Sequence, residues 1–327
     1  MSTLKVGLVG LGIMGENHAR ILSNLEGVSL LGVVEPSNSI GLRKSDYNFL
    51  HLEELLDKKP DYCVVAAPTG LHKEIASQIL EAGINCLIEK PVALDFESAV
   101  SIKKIADKKS LIVGIGHIER YNSAIKLLRS KLLSGELGEI YQISTRRQGP
   151  FPSRIADVGV VRDLGTHDID LTMWLTGSSF NSISAKTVKK SMREYEDMAL
   201  VTGKLRNNIL VNMIMNWLSP IKERNLLVIG EKGAFVAETL RSNLTFYKNG
   251  NFQNTHATIA HFIGVSQGDV ISYEFEKPEP LLLEHENFRD HILGKKADII
   301  TLDDGIKNVE VADAILKSAY MNIDVVL

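Results

Sequence analysis

Three short groups of residues in this 327-residue chain have the types and spacing to do chemistry. Glu89-Lys90-Pro91 follows the fifth apolar strand-like run and sets a titratable amine at a strand end. Gly10, Gly12 and Gly15 follow the first such run and form a nucleotide loop. Asp163 and His167 stand four residues apart, just before the apolar run Leu171 to Leu175. An amine at a strand end beside a nucleotide loop lies where a nicotinamide ring should sit, so the combination predicts redox chemistry.

The glycines match G-x-G-x-x-G in its required strand-turn-helix setting. The first permits a tight turn, the second a close backbone approach to a pyrophosphate, and the third close helix packing. A helical stretch from Glu16 to Leu25 follows, whose amino-terminus attracts phosphate, so Ile13, Met14 and Gly15 are expected cofactor contacts. A tight strand-to-helix turn with no ligand is the plain alternative. Glu35, ending the next run Val28 to Val34, falls about 20 residues past the third glycine, as the fingerprint asks. Its carboxylate can accept both ribose hydroxyls. It would also repel a 2′-phosphate by about 4 kcal/mol for unit charges some 4 Å apart at an effective dielectric near 20, which favours NAD over NADP. Arg43 is the counter-argument, since it is near enough in sequence to hold that phosphate.

Asp163 and His167 share a face if they open a helix. An acid beside an imidazole fixes its tautomer and raises its basicity, as proton transfer requires. Two alternatives stay open: acids dressing a helix amino-terminus, and a metal site of Asp163, His167 and Asp170.

Length above 300 residues implies two domains. Apolar residues make up 44% and charged residues 24%, the make-up of an ordinary globular protein. A net charge of −3 argues against nucleic-acid or membrane-surface binding. Four glycines break the first apolar run, which excludes a signal peptide, and no stretch approaches a membrane span. Cys63 and Cys86 read as buried filler, and the expected compartment is the cytoplasm.

Strand and helix signals alternate through the first 120 residues, as in a doubly wound parallel sheet. Helices are expected at Leu52 to Lys59, at Lys73 to Ala82, and from a cap at Asp95 onward with Ala99, Ile102, Ile105 and Ala106 buried. Strands are expected at Tyr62 to Ala67, Asn85 to Ile88 and Leu111 to Ile115, with a weak one near Tyr47 to Leu50. Ligands belong at the carboxyl ends of such strands, where Gly10, Glu35, Pro68-Thr69, Glu89-Lys90 and Gly116-His117 stand. Past Tyr121 a helix, Ala124 to Leu133, precedes runs that suggest an open, mainly antiparallel sheet. In the run Ile209 to Leu218 both faces are apolar enough to be covered, and a homodimer or homotetramer through this sheet is expected. The predicted domains are therefore residues 1–120 and 121–327.

The chain resembles the glucose-fructose oxidoreductase, inositol dehydrogenase and MocA family over nearly its whole length. The resemblance is carried by the Gly10 to Gly15 loop, by Ala67-Pro68-Thr69 with His72, and by Glu89-Lys90-Pro91. It is also carried by Gly116-His117-Ile-Glu-Arg120-Tyr121-Asn122 and by Asp163 with His167. It implies a Rossmann domain joined to an α/β domain with an open sheet, and a substrate cleft between them. It further implies that Lys90, Asp163 and His167 are catalytic. Pro68, Thr69, His72, Glu89 and Lys90 would touch the cofactor beside the glycine loop, and Arg120, Tyr121, Asn122 and Arg147 would touch the substrate.

Within the family the segments around Arg120 and Arg146 to Asp163 are most similar to UDP-N-acetylglucosamine 3-dehydrogenases, which oxidise a sugar 3-hydroxyl to a ketone. Forked guanidiniums at Arg146, Arg147, Arg154 and Arg162 suit a diphosphate, although such arginines also form ordinary salt bridges. The resemblance thus implies a sugar or nucleotide-sugar substrate, with polyols or free sugars as alternatives. For Lys90 to take the hydroxyl proton, its amine must fall from about 10.4 to roughly 7 or 8, about 4 kcal/mol of selective destabilisation of the ammonium. Glu89 opposes this if it points the same way; His167 is the alternative base. A non-catalytic nucleotide sensor and a metal-dependent hydrolase are the readings from other classes.

Overall fold

The computed structural model describes residues 3–35, 48–49, 51–152, 157–250 and 266–327. Arg43, Arg154, Tyr47 and Leu50 lie outside the described residues, as do residues 251–265 of the stretch from Asn243 to Glu279. The chain forms two compact units: residues 1–118, 156–158 and 279–313 in the first, and 119–155, 159–278 and 314–327 in the second.

The first unit alternates strand and helix, as the period of its apolar residues demands. Its elements run β1 (Leu4–Val9), α1 (Ile13–Leu22), β2 (Val28–Val34), β3 (Asn48–Phe49), α2 (Leu52–Leu56), β4 (Tyr62–Val65), α3 (His72–Glu81), β5 (Asn85–Glu89), α4 (Phe96–Lys109) and β6 (Val113–Gly116). They pair in parallel in the order β3-β2-β1-β4-β5-β6. This is the dinucleotide-binding order, with the strand direction of travel reversing between β1 and β4. Buried strands of this kind read as continuous apolar runs, and Tyr62 to Val65 is fully buried along its length.

Asp95 caps α4 as its sequence suggests, its Oδ1 accepting the Ser98 N–H at 2.8 Å. Ala99, Ile102 and Ala106 form the buried stripe. Cys63 and Cys86 sit side by side on β4 and β5, buried and unbonded. Burial pushes the Cys63 thiol up to about 12, so neither sulfur is a ready nucleophile.

The second unit holds α5 (Ser123–Leu133), β7 (Ile140–Pro150), a π-helical turn (Val161–Gly165), α6 (Thr166–Thr176), β8 (Phe180–Val188), β9 (Met198–Leu205), β10 (Leu210–Asn216), β11 (Leu218–Gly230), β12 (Gly233–Glu238), β13 (Asn243–Asn249) and β14 (Gln267–Tyr273). Two helices follow, α7 (Pro280–Ile292) and α8 (Leu302–Met321), then β15 (Val325–Val326). The nine-stranded sheet runs β14-β13-β12-β11-β7-β10-β9-β8-β15. Among the described residues its one parallel pair is β7 with β10. On β10 the face of Val211, Met213 and Met215 is buried, while Leu210 on the other face is 57% exposed.

A single cut at residue 120 does not describe the units, because Glu279 to Asp313 returns to the first. The cause is α7: its Phe288 is buried among Leu8, Leu22, Tyr62, Val64 and Leu87. It stacks edge-on against Tyr62 with ring centroids 5.1 Å apart. Burying a phenylalanine contributes about 1.5–3 kcal/mol, and the sheet's core would lose that if the chain ended the domain at β6.

Candidate active site

In the first unit the chemistry-bearing residues gather at the carboxyl ends of β1, β2, β4 and β5. Gly10 adopts φ +94°, and a Cβ there would strike Ala66 O at 2.6 Å, so the turn out of β1 needs glycine. A Cβ on Gly15 would meet Gly10 O at 2.2 Å, which is the close helix packing the third glycine permits. A Cβ on Gly12 would meet nothing within 4 Å. Gly12 opens α1 without a side-chain cap, an arrangement in which the first-turn amides of Ile13, Met14 and Gly15 suit a pyrophosphate. Glu35 Oε2 accepts the Leu11 N–H at 2.8 Å, fixing the carboxylate against this turn. The residues present fit a dinucleotide whose ribose is held by an acid.

Lys90 follows the last residue of β5 and is half-buried. Glu89, the last residue of β5, is buried. Its carboxylate turns inward, with Oε1 2.9 Å from His18 Nε2 and Oε2 accepting the backbone N–H of Lys90 at 3.2 Å. Burial pushes Glu89 up, but the hydrogen bond from His18 and the charge of Lys90 outweigh it and hold the carboxylate below its usual range. Glu89, expected at the cofactor, is therefore an internal group.

His72 is likewise internal. Its Nδ1 lies 2.9 Å from Pro91 O and its Nε2 2.8 Å from Ala67 O, so the ring staples the loop after β4 to the loop after β5. Only an imidazolium donates to both carbonyls, and burial opposes it, pulling the group below its ordinary value. Pro68 precedes a single 3₁₀ turn, Thr69–Leu71, and the Thr69 N–H donates to Asp157 Oδ2 at 2.9 Å.

In the second unit Asp163 lies within the π-helical turn and His167 in the first turn of α6. Asp163 is buried, whereas His167 is half-buried. Glu196 shapes this turn, its Oε1 accepting the Val161 N–H at 3.0 Å. The adjacent Asp197 is fully buried and accepts from Lys190 N, Ser191 N, Ser191 Oγ and Arg193. Burial pushes Asp197 up, but these donors outweigh it and hold the carboxylate well below its usual range. Both residues lead directly into β9.

Because α6 is buried nearly all round, its remaining acids need partners. Asp168 accepts from Arg147 Nε at 2.7 Å, and Arg147 Nη1 also reaches Glu119 at 2.7 Å. Asp170 takes a two-pronged pair from Arg120, at 2.8 and 2.6 Å. Burial works against the Arg147 charge, but its two carboxylates outweigh burial and hold it above its usual range. Among the described residues no cluster of His, Cys, Asp and Glu could hold a metal ion, and Asp170 is committed to Arg120.

Three residues expected at the substrate are thus committed within their own unit. Arg147 and Arg120 neutralise α6, and Asn122 caps α5 through Ala124 N while donating to Thr239 O at 3.0 Å. Tyr121 is buried. The sequence reading missed His18 and His285. For His18 a signal existed: it lies three residues past Gly15, on the helix face that must pack inward.

The protein has recognisable relatives. Residues 4–117 match the description "Oxidoreductase family, NAD-binding Rossmann fold", and residues 129–325 match "Oxidoreductase family, C-terminal alpha/beta domain". The UDP-N-acetylglucosamine 3-dehydrogenase of Acidithiobacillus ferrooxidans is 28% identical over 295 residues, covering 89% of this chain and 90% of its own. The glucose-6-phosphate 3-dehydrogenase of Bacillus subtilis is 30% identical over 261 residues, covering 72% and 74%. The WlbA dehydrogenase of Bordetella pertussis, solved with NADH and UDP-GlcNAcA, superposes with a TM-score of 0.82 at 20% identity, covering 100% of this chain and 98% of its own. With its glycine turn, parallel sheet and second-domain sheet all in place, the chain belongs to the Gfo/Idh/MocA oxidoreductase family, as a dehydrogenase whose first unit is an NAD-binding Rossmann domain.

Proposed function

We propose that this dehydrogenase oxidises a secondary hydroxyl of a sugar nucleotide to a ketone, with the 3-hydroxyl of UDP-N-acetylglucosamine as the leading substrate. The observation that carries the reading is Lys90. It directly follows β5 in the same parallel sheet whose β1 turn is built for a dinucleotide. Bound NAD supplies the hydride acceptor. Lys90 takes the proton of the hydroxyl, and the family resemblance assigns His167 with Asp163 to the same reaction. The inward turn of Glu89 favours this role, because its two oxygens are engaged by His18 and by the Lys90 backbone N–H.

The relatives support the substrate class. One acts on UDP-N-acetylglucosamine and another on glucose 6-phosphate, both named as 3-dehydrogenases. The second favours sugar phosphates as the runner-up. Reduced-nicotinamide absorbance should be followed with NAD and a panel of UDP-sugars, sugar phosphates and free polyols. Turnover on UDP-N-acetylglucosamine well above the rest is expected; turnover confined to polyols would overturn the nucleotide-sugar reading. Lys90→Ala should lose at least about 10²-fold in kcat while NAD binding survives, and near-normal turnover would reject Lys90 as the base.

The open face of the second unit's sheet carries Leu200, Leu210, Ile214 and Tyr247 between polar neighbours that pair sideways, such as Gln142 with Asn212. A second copy of the chain is the proposed cover, giving a homodimer or homotetramer. Among the described residues no helix is long and apolar enough to cross a membrane. The reading places the protein in the cytoplasm, where Cys63 and Cys86 stay reduced.

A further inference from the structure

Behind Lys90 the first unit buries a line of ionisable side chains that the proposed chemistry does not use. Glu89 Oε1 lies 2.9 Å from His18 Nε2, and His18 Nδ1 lies 2.8 Å from His285 Nε2. The two imidazoles meet edge to face and are fully buried, and Glu284 beside His285 on α7 is buried as well. Three elements supply the line: α1, β5 and α7.

Donor and acceptor counting fixes its protons. An ionised Glu89 accepts from His18 Nε2–H. In a neutral His18 ring Nδ1 is then a lone pair and accepts from His285 Nε2–H. That leaves His285 Nδ1 as a lone pair, and it finds no hydrogen-bond partner among the described residues. The opposite direction would make His18 an imidazolium and strand a buried N–H at His285 Nδ1, which is the costlier orphan. Burial pulls His285 well below its ordinary value, and burial with the Glu89 charge pushes Glu284 well above its own. Both directions agree with one negative charge in the line, on Glu89.

We propose that His18 and His285 are positioning residues: a two-imidazole relay that holds the Glu89 carboxylate turned inward and so limits how far it stabilises the Lys90 ammonium. The inference rests on Lys90 acting as the base. The charged and titratable groups around the relay are Glu89 and Lys90 at the end of β5, His72 on α3, and Glu284 with His285 on α7. The same α1 whose first turn faces the dinucleotide carries His18, so the cofactor turn and the Lys90 strand end are tied through one ring. Released from His18, the carboxylate keeps its bond to the Lys90 backbone N–H, and its charge acts more strongly on that residue's ammonium.

Nitrogen NMR of histidine-labelled protein without cofactor, assigned with His18→Gln and His285→Leu, should show both rings neutral at pH 7 with the proton on Nε2. A protonated His18, or His285 carrying its proton on Nδ1, overturns the relay. In NAD-dependent turnover the acidic limb of the kcat profile should move to higher pH by about one unit in His18→Leu, and in the same direction by less in His285→Leu. His18→Gln, whose amide still donates to Glu89, should stay nearer the parent. An unmoved limb in His18→Leu alongside a dead Lys90→Ala overturns the relay while sparing the base assignment. Active Lys90→Ala overturns both.

Discussion

Glu35 Oε2 accepts the backbone N–H of Leu11 at 2.8 Å, so the end of β2 is fastened to the turn leaving β1. The bond directs a carboxylate toward the space where an adenosine ribose would lie beside the Gly12 amides. Glu35→Ala should cost NAD about tenfold in kcat/KM, the worth of a charge-assisted hydrogen bond. It should raise kcat/KM for NADP, because a repulsion of up to about 4 kcal/mol is removed. Steady-state kinetics with both cofactors decide it; an unchanged NAD to NADP ratio would show that the acid does not face the ribose.

Arg147 is 4% exposed and joins Asp168 to Glu119 across two elements of the second unit. Removing one member of a buried ion pair leaves charge without a partner and costs about 3–5 kcal/mol. Arg147→Met should therefore lower the urea midpoint of unfolding by that equivalent, and Arg147→Lys, which cannot fork, should recover only part. A midpoint within about 1 kcal/mol of the parent would mean the guanidinium is held for a ligand rather than for α6.

How legible each feature was depended on the distance over which its physics acts. The glycine turn, the Asp95 cap and the two faces of β10 are local backbone and period effects, and a reader of the sequence finds them. Arg147 with Asp168 and Arg120 with Asp170 lie 21 and 50 positions apart, and only the fold reveals that these charges are spent on each other. Asn122 looked like a ligand contact because it stands in a family motif, yet it caps α5. The return of α7 had no local signal: Phe288 and His285 are ordinary helix residues until the sheet of the first unit is built around them.

Leu210 and Ile214 lie on the open face of β10, alternating with Asn212 on the same side of the pleat. If a second copy covers this face, Ile214→Arg buries a charge without a partner at the interface. Light scattering at micromolar concentration should give a multiple of 36.1 kDa for the parent and the single-chain mass for the variant. A monomeric parent would reject the second copy as the cover.

Glu284 gives the pH dependence of stability a definite sign. Its folded-state value is raised by burial and by the Glu89 charge, whereas in the unfolded chain it titrates near about 4.3. Below that pH both states hold the proton and Glu284 contributes nothing to the slope. As pH rises from there toward the raised folded value, the unfolded chain gives up a proton that the folded chain keeps. Stability then falls by about 1.4 kcal/mol for each pH unit. Glu284→Gln removes that slope but adds a buried amide, whose cost does not change with pH. The difference in urea-unfolding free energy between variant and parent should therefore grow in the variant's favour from about pH 5 to about pH 8. Glu89 is present in both proteins, so a difference that stays flat across that range would place the Glu284 carboxyl in contact with water or with a cation.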